Sequence, residues 1–410
     1  MKINLSNLKK TYYYLRKNGC RSAFFAAMER LQKQPYEDYR YEKPSGEELR
    51  RQKSHSFENA VTFSILVPAY ETKPEYLKAL LQSVQDQTYE KWELILADAS
   101  RSDLVEKTLE QFCKDTGETR IRYFRLPENK GISANSNAAL EKAMGEYVAL
   151  LDHDDLLTPD ALYENALQIK QAETEGISLS MLYSDEDKCD ETGTSFYEVH
   201  KKKDFDLELL LSNNYICHLL VMKRELMQKL QFRCNFDGSQ DYDLILRGVS
   251  AILPETEQIV HIPKVLYHWR CHSASTASNP ASKQYAYEAG KRVLEDFLHS
   301  RHWEAEAEHA KHLGFYHVLY KPDLLTVRQD VGAVGGMVLS GNGHRVVSGI
   351  LDKEGHCPYA GMRAEYSGYM HRADLQQEAF AVDLRCIQVR EEFKPLYETL
   401  RNRPGKTEQN

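Results

Sequence analysis

Short apolar runs alternate with amphipathic segments between residues 60 and 160. The run at 63–67 (FSILV) ends at Pro68, and the segment after Pro74 repeats leucine at helical spacing. Further apolar runs lie at 93–97, 121–124 and 147–151, and a second helical pattern lies at 132–144. Buried runs that alternate with helices predict an α/β fold with a parallel sheet and helices on both of its faces.

The rest of the chain divides by composition. Residues 1–34 predict a helix that mixes basic and aromatic side chains, and 35–60 are polar like a linker. Later patterns predict a strand at 216–222, a helix at 239–247, an extended segment at 259–269 and a long helix at 282–300. The predicted organisation is a helical N-terminal extension and linker (1–60), a main α/β domain (61–300), a small α+β region (301–396) and a disordered tail (397–410).

Composition restricts the possible functions. The chain has 410 residues, 42% of them hydrophobic, and a net charge of −8, which disfavours binding to nucleic acid. Its eight cysteines contain no CxxC motif, and the sequence contains neither a run of about 20 apolar residues nor a secretory signal. We therefore expect a cytoplasmic protein with reduced thiols. The N-terminal helix could lie at the inner face of a membrane or pack on the main domain, and the sequence leaves both open.

Acidic residues follow two of the predicted strands. Asp98 ends one strand, and Asp152-His153-Asp154-Asp155 follows another. Ligands bind beyond the carboxyl ends of parallel strands, where Asp98 could accept hydrogen bonds from a ribose or a base. Three crowded carboxylates repel one another unless something neutralises them, as Mg²⁺ or Mn²⁺ bound to a diphosphate would do. The alternative is a surface turn that caps the next helix, although a cap needs only one carboxylate.

The order of several motifs points to a family. SILVPAYE, SVQDQTYEKWELILAD and ENKGISANSNAALEKAMGEYVALLDHDD follow one another, and over about residues 62–272 the chain resembles family 2 glycosyltransferases of the GT-A fold. The resemblance implies a Rossmann-like, mostly parallel sheet and a nucleotide-diphospho-sugar donor. It also implies a metal held by a DxD-type motif, and inversion at the anomeric carbon.

The resemblance assigns residues to the donor site. The nucleotide side comprises Pro68, Ala69, Tyr70, Glu71, Asp98, Gly131 and Asn135. The diphosphate and metal side comprises the DxD pair Asp152 and Asp154, the positioning residue Asp155, His268 or His272 as a further metal ligand, and Arg270 on the diphosphate. A structural histidine or a stacked pair of Trp269 and Arg270 is the alternative for the last two of these. The family often has two adjacent acids where this chain has Ala97 and Asp98, which leaves the choice of nucleotide open.

The general base is implied later in the chain. The segment 238–243 (GSQDYD) resembles the family's acidic base motif, with Gln240 in place of the first acid, and makes Asp241 the candidate base. Asp243 could instead serve the helix terminus as a favourable charge. Residues 183–188 (YSDEDK) resemble a sugar-pocket segment of a bacterial subgroup, although part of that charge could belong to a solvated loop. Asn214, Tyr215 and His218 resemble that subgroup's acceptor-side wall.

These observations lead to one expected function and one alternative. The expected function is an inverting, metal-dependent hexosyl or deoxyhexosyl transfer to a hydroxyl of a glycan or lipid-linked glycan in bacterial surface polysaccharide synthesis. The alternative is a non-catalytic nucleotide-sugar-binding or scaffold protein on the same fold. Residues 331–396 resemble the late part of a second GT-A domain without its acidic motif, so we expect an accessory region that supports the main domain or helps to form a homodimer.

Overall fold

A nine-stranded sheet forms the centre of the protein. The computed structural model describes residues 5–32, 35–272 and 284–402. The strands of this sheet are β1 (Phe63–Ala69), β2 (Trp92–Asp98), β3 (Ile121–Arg125), β4 (Tyr147–Leu150), β5 (Leu156–Leu157), β6 (Met181–Cys189), β7 (Phe196–His200), β8 (Leu220–Lys223) and β9 (Ile259–Arg270).

The sheet is mixed but mostly parallel. Its order is β3-β2-β1-β4-β8-β6-β9-β5, with β7 paired to β6. Six strands run in one direction, and β5, β7 and β8 oppose them. The predicted mostly parallel α/β sheet is confirmed, whereas the three opposed strands were not foreseen from the sequence.

Helices cover both faces of the sheet, as predicted. Along β1 the side chains alternate, so that Ile65 and Val67 pack in one core cluster and Leu66 packs in the other. The helices are α1 (Leu5–Arg30), α2 (Gly46–Ser54), α3 (Pro74–Gln85), α4 (Leu104–Thr116), α5 (Ile132–Leu140), α6 (Ala161–Thr174), α7 (Leu207–Ser212), α8 (Arg224–Leu230), α9 (Gln240–Ile252), α10 (Gln284–Ser300), α11 (Leu324–Val327) and α12 (Lys394–Arg401). Helix α3 packs its leucines in the first cluster, and α9 packs its apolar side in the second.

The strand register brings the two acidic strand ends together. Strand β1 lies between β2 and β4, with Ala69 opposite Asp98 and Leu66 opposite Leu150. The acidic loop from Asp152 onward therefore begins at the same edge of the sheet as Asp98. This is the edge at which ligands bind in such sheets.

The regions outside the main sheet correct three expectations. Helix α2 lies within the predicted linker, and the strand expected over 216–222 is the shorter β8. Helix α12 continues to Arg401, so disorder beginning at 397 is wrong for its first residues, and 403–410 lie outside the described residues. None of the helices in the described ranges is long and apolar enough to span a bilayer.

The chain after residue 300 forms short, separate strand pairs. Its strands are β10 (Ala305–His309), β11 (Tyr316–Tyr320), β12 (Ala333–Gly335), β13 (Val338–Leu339), β14 (Val346–Ser348), β15 (Ile350–Leu351), β16 (Ala381–Val382) and β17 (Ile387–Val389). The hairpin β10–β11 packs Ala307, Tyr316 and Val318 into the same core cluster as Phe297 of α10. One hydrophobic core therefore continues across residue 300.

Candidate active site

Asp155 anchors the acidic loop to strand β9. Its carboxylate accepts hydrogen bonds from the Tyr267 hydroxyl at 2.6 Å and from the Arg270 backbone N–H at 2.7 Å. Burial raises the pKa of Asp155 well above its usual range, and the charges of Asp154 and Asp152 raise it further. Asp155 is thus committed to holding the loop, which leaves the two preceding aspartates to face the cleft.

Arg270 also holds the acidic loop in place. Its guanidinium donates to the carbonyl oxygens of Asp154 at 2.5 Å and Glu191 at 2.8 Å, and it lies 4.9 Å from the centre of the Tyr76 ring. The residue is almost completely buried. The guanidinium joins the acidic loop to the turn between β6 and β7, and among the described residues its Nη2 has no hydrogen-bond partner, so the diphosphate contact suggested by the sequence stays a prediction.

His272 lies beside the DxD pair, and His268 does not. The His272 Nε2 is 2.7 Å from Asp154 Oδ2. His268 is buried with Nδ1 2.5 Å from Asp187 Oδ1, and its ring packs against Tyr41. Side chains alternate along β9, so His268 lies on the face opposite Tyr267, where its ring also packs against Phe196 of β7. The geometry therefore favours His272 over His268 as a metal ligand.

A metal site would need donors from the substrate. Among the described residues, no group of three His, Cys, Asp or Glu side chains is arranged to hold an ion. Asp154 and His272 converge, and 55% of the Asp152 side chain is open to solvent in the cleft. Carboxylate oxygen and imidazole nitrogen suit Mn²⁺, and carboxylate with water suits Mg²⁺. The residues fit a divalent cation whose remaining ligands are diphosphate and water oxygens.

Two aspartates at the start of helix α9 lie in different environments. Asn214 Nδ2 donates to Asp241 Oδ2 at 3.0 Å, at the edge of the cleft. Asp243 is buried and accepts from Arg233 and Arg247, the latter at 2.6 Å from Nη2. Asp243 therefore serves the packing of the helix, as the sequence allowed, while Asp241 faces the open side. Gln240 accepts from the backbone N–H of Gly238 at 2.9 Å.

His218 joins the base region to the acidic loop. Its Nδ1 lies 3.0 Å from Glu186 Oε2, its Nε2 lies 3.8 Å from Asp152 Oδ2, and its ring stacks on Tyr267. The pKa of Asp152 is raised, and the neighbouring charges of Asp154 and Asp241 contribute to this shift. The sequence-predicted base and the DxD pair, far apart in the chain, therefore share one cleft.

The acidic segment at 183–188 is a buried strand. Within β6, Asp185 accepts from His261 Nε2 at 2.9 Å, Glu186 contacts His218, and Asp187 accepts from the Tyr39 hydroxyl at 2.7 Å. All three acids are buried. The interpretation of this charge as solvated loop is wrong, because each carboxylate has a partner from another element.

The nucleotide side is more enclosed than the sequence suggested. Asp98 is fully buried and accepts from Ser100 N at 2.8 Å, the Tyr123 hydroxyl at 2.9 Å and Arg125 Nη1 at 3.1 Å. A ribose could therefore reach Asp98 only if the half-exposed Arg125 moved aside. The described geometry gives Asp98 the task of joining β2 to β3.

The residues at the end of β1 divide into buried and open positions. Ala69 is buried and Pro68 is partly buried within the strand, whereas Tyr70 is 39% exposed. Glu71 accepts from Arg101 N at 2.7 Å and the Ser102 hydroxyl at 2.9 Å, and the Arg101 hydrogen bond lowers the pKa of this carboxylate. Tyr70 is thus the aromatic side chain of this group that remains open to solvent.

Gly131 allows a close approach at the start of α5. It has a φ of 96°, and a Cβ there would lie 2.4 Å from Asp237 Oδ2. Asn135 is buried and donates to Asn129 Oδ1 at 3.0 Å. These two residues therefore shape the loop at 129–131 and bring it against the segment that precedes α9.

Comparisons with known proteins agree with this arrangement. The family model "Glycosyl transferase family 2" matches residues 64–231. The chain is 40% identical over 243 residues to the uncharacterized protein y4gI of Sinorhizobium fredii, covering 59% of this chain and 26% of the relative. It is 34% identical over 241 residues to the O-antigen biosynthesis protein RfbC of Myxococcus xanthus, covering 57% and 18%. The chain thus spans about a quarter or less of these two relatives.

A shorter relative is matched over most of its length. An uncharacterized glycosyltransferase of Haemophilus influenzae is 30% identical over 175 residues, which cover 42% of this chain and 67% of the relative. Among solved structures, TarS 1–349 of S. aureus has 18% identity and a TM-score of 0.40, covering 58% of this chain and 70% of that one. That score is too low to support an argument. The family match and the matched length of the shorter relative show that this chain, with its GT-A-type α/β sheet, belongs to glycosyl transferase family 2.

Proposed function

We propose that this glycosyltransferase moves a sugar from a nucleotide-diphospho-sugar to a hydroxyl of a glycan or lipid-linked glycan, with inversion, in the synthesis of a bacterial surface polysaccharide. The observation that carries the proposal is the proximity of Asp152, Asp154 and Asp241, with His218 3.8 Å from Asp152 and Asn214 3.0 Å from Asp241. A scaffold protein would have no use for carboxylates brought together from such distant parts of the chain. The name of the RfbC relative supports the polysaccharide context.

The proposed chemistry assigns one step to Asp241. An inverting transfer needs a base within hydrogen-bond reach of the acceptor hydroxyl. Asn214 binds Asp241 Oδ2, so Oδ1 would take the proton while the acceptor oxygen attacks the anomeric carbon. The bond from that carbon to the diphosphate breaks on the opposite side. Asn214 therefore acts as a positioning residue for the base.

The acidic loop is proposed to hold the leaving group. Asp154 and His272, with Asp152, would bind Mn²⁺ or Mg²⁺ together with diphosphate oxygens. A bound divalent cation neutralises the negative charge that develops on a leaving diphosphate. Asp155 and Arg270 act through the loop, because they fix its backbone and touch neither donor nor acceptor in this assignment.

A donor screen tests the proposal. Release of nucleoside diphosphate is measured against UDP-, dTDP- and GDP-sugars, with and without excess chelator. We expect turnover of at least one donor, near-complete loss in chelator, and near-complete loss in Asp154→Ala. Asp115→Asn, an exposed carboxylate on α4, is the matched control and should retain full activity. Donor binding without turnover would favour the scaffold alternative, and full activity in chelator would overturn the metal assignment.

Contact with a membrane is a second part of the proposal. Helix α1 packs on the later part of the chain through Lys17, which donates to the Ala310 carbonyl, and through Arg21, which pairs with Glu365. Phe24 on this helix is 59% exposed, and Leu31, which directly follows the helix, is 76% exposed. Basic and apolar side chains on one helix suit an anionic lipid surface.

A vesicle assay tests that contact. We expect Phe24→Glu and deletion of residues 1–34 to weaken binding to phosphatidylglycerol vesicles, with a steep dependence on salt. The exposed Met144→Glu, which lies before β4, is the control. If the full-length protein ignores such vesicles at low salt, α1 has a structural role only.

A further inference from the structure

A cavity lies between the C-terminal region and helix α7, away from the residues of the candidate active site. Its volume is about 700 Å³, within the range of about 300–1,000 Å³ usual for ligand sites. Glu208 of α7 forms part of one wall, and Gly335, Tyr359 and Gln377 form part of the other. The cavity is thus built by two regions of the chain that are distant in sequence.

Glu208 is a buried carboxylate that can accept a further hydrogen bond. Only 8% of the residue is exposed, and Arg328 binds its Oε1. Among the described residues, Oε2 has no hydrogen-bond partner. Burying an unsatisfied acceptor is costly, so such a group points to a donor that arrives with a ligand.

The lining restricts the chemistry of that ligand. Four carboxylates face the cavity against one guanidinium, Arg328, which disfavours a phosphate or another anion. Apolar side chains such as Met337, Val334 and Leu375 supply most of the remaining wall. A neutral, hydroxyl-rich molecule with apolar C–H faces meets both requirements, because its hydroxyls donate to Glu208 and its ring faces pack on the apolar wall.

Helix α7 connects the cavity to the candidate base. The helix is six residues long, and Asn214, which binds Asp241, follows it by two residues. The Tyr242 hydroxyl, next to Asp241 in the chain, donates to the Leu210 carbonyl at 2.5 Å. In the described parts of the chain, Asn213 Oδ1 and Asn214 Oδ1 are also buried without partners. Unsatisfied acceptors therefore recur from the cavity toward the base.

We propose that the cavity is a carbohydrate subsite, which holds neutral sugar units of the acceptor glycan away from the reacting hydroxyl. The identity of the ligand as an acceptor rests on the proposed function, whereas the binding of neutral sugar does not. The subsite would make the C-terminal region a selector for longer acceptors.

Binding is tested first without turnover. Saturation-transfer NMR on the full chain uses methyl glycosides of glucose, galactose, mannose, rhamnose and N-acetylglucosamine as probes. Ala379 is exposed and lines the cavity, whereas Ala381 is exposed and does not. We expect at least one glycoside to bind, Ala379→Trp to weaken it at least tenfold, and Ala381→Trp to leave it unchanged. Glu208→Gln should also weaken it, with folding checked by thermal melting.

Kinetics then separate this proposal from the proposed function. Ala379→Trp should raise KM for acceptors of several sugar units, but not for single-sugar acceptors, and should leave kcat unchanged. If no glycoside binds at 50 mM, or if Ala379→Trp binds every probe like the unmodified protein, the subsite is overturned. If no variant turns over any donor while glycoside binding follows the cavity, the proposed function fails and the subsite stands.

Discussion

The strands of the main sheet and the strands after residue 330 differ in how their backbone N–H and C=O groups are hydrogen-bonded. The main sheet is one continuous ladder of nine strands with a core cluster on each face. After residue 330 the strands form three separate pairs of two or three residues each. Such short pairs have little stability of their own. The first region can therefore hold precise chemistry, whereas the second depends on its neighbours for order.

Those neighbours can be identified from polar contacts. The Glu29 carboxylate of α1 accepts from the backbone N–H groups of Ser367 at 3.1 Å and Gly368 at 2.7 Å. The Tyr369 hydroxyl donates to the Val199 carbonyl at 2.8 Å, next to the end of β7. The C-terminal region is thus fixed at one side by the N-terminal helix and at the other by the main sheet.

The largest expected effect concerns chemistry in the main sheet. Asp241→Asn keeps the size and the hydrogen bond to Asn214 but loses the proton acceptor. Turnover should fall by about 10²–10⁴, while the melting temperature and the donor affinity stay unchanged. Steady-state release of nucleoside diphosphate, paired with calorimetry of donor binding, measures both. Normal transfer by Asp241→Asn would show that the base is elsewhere, with Glu186 the next candidate.

Asp243→Asn should affect stability instead. The carboxylate is buried between Arg233 and Arg247, and removing one partner of a buried ion pair typically costs about 3–5 kcal/mol. Denaturant unfolding measures the loss, and the folded fraction should remain active. The exposed Asp115→Asn is the control. A large loss of turnover without a loss of stability would reverse the roles of Asp241 and Asp243.

Loosening the C-terminal region should cost less. Glu29→Gln replaces a charged acceptor by a neutral one, and we expect a local loss of about 1–3 kcal/mol. Hydrogen exchange across residues 365–375 should speed up while strands β1 and β2 remain protected. Glu47→Gln, exposed on α2, is the comparison. Equal acceleration in both regions would mean that they unfold as one unit.

A dependence of stability on pH is expected at the same junction, and it is absent at neutral pH. His312 and His371 stack at 3.4 Å, and burial lowers the pKa of His312 to about 3 and that of His371 to about 4. Nearby positive charges, including Lys311 and Arg30, contribute to both shifts. The unfolded histidines bind protons below about pH 6.5, so stability is full above that pH and is lost as pH falls toward 4.

A single substitution checks this dependence. Each histidine adds at most about 1.4 kcal/mol per pH unit to the slope, and His371→Asn should remove one share of it. Denaturant midpoints at pH 7, 6 and 5 measure the slope, with the exposed His356→Asn as control. If the midpoints of both variants change equally with pH, His371 does not contribute to the pH dependence.

The sequence predicted β1, β2 and β4 because each is an apolar run that the core clusters bury, and it predicted β3 although that strand is only partly buried. It could not predict β6, since YSDEDK has the composition of a loop. Burial of those acids is possible only because His261, His218 and Tyr39 arrive from other elements. Long-range partners of this kind leave no local pattern.

Two other differences have local causes. Helix α2 could have been found, because the Ser45 hydroxyl accepts from Glu48 N, and Ser followed three residues later by Glu is a helix-start signal. The prediction of Asp241 as the candidate base depended on the family resemblance. The proximity of Asp241 to Asp152 could be seen only in the folded structure. Burial pairs Asp98 with side chains of β3 and Arg270 with the acidic loop, contacts that no local pattern predicted, and their roles at the donor stay predictions.

The contact between Tyr39 and Asp187 bears on where the chain can be shortened. Residues 39–41 cover the back of β6 and β9, where Tyr41 packs on His268. A truncation at residue 61, at the predicted start of the main domain, would expose a carboxylate and an imidazole to water directly behind the acidic loop. A shortened chain should therefore begin no later than residue 35, before these two tyrosines, and one that is to keep the C-terminal region in place also needs Glu29 of α1.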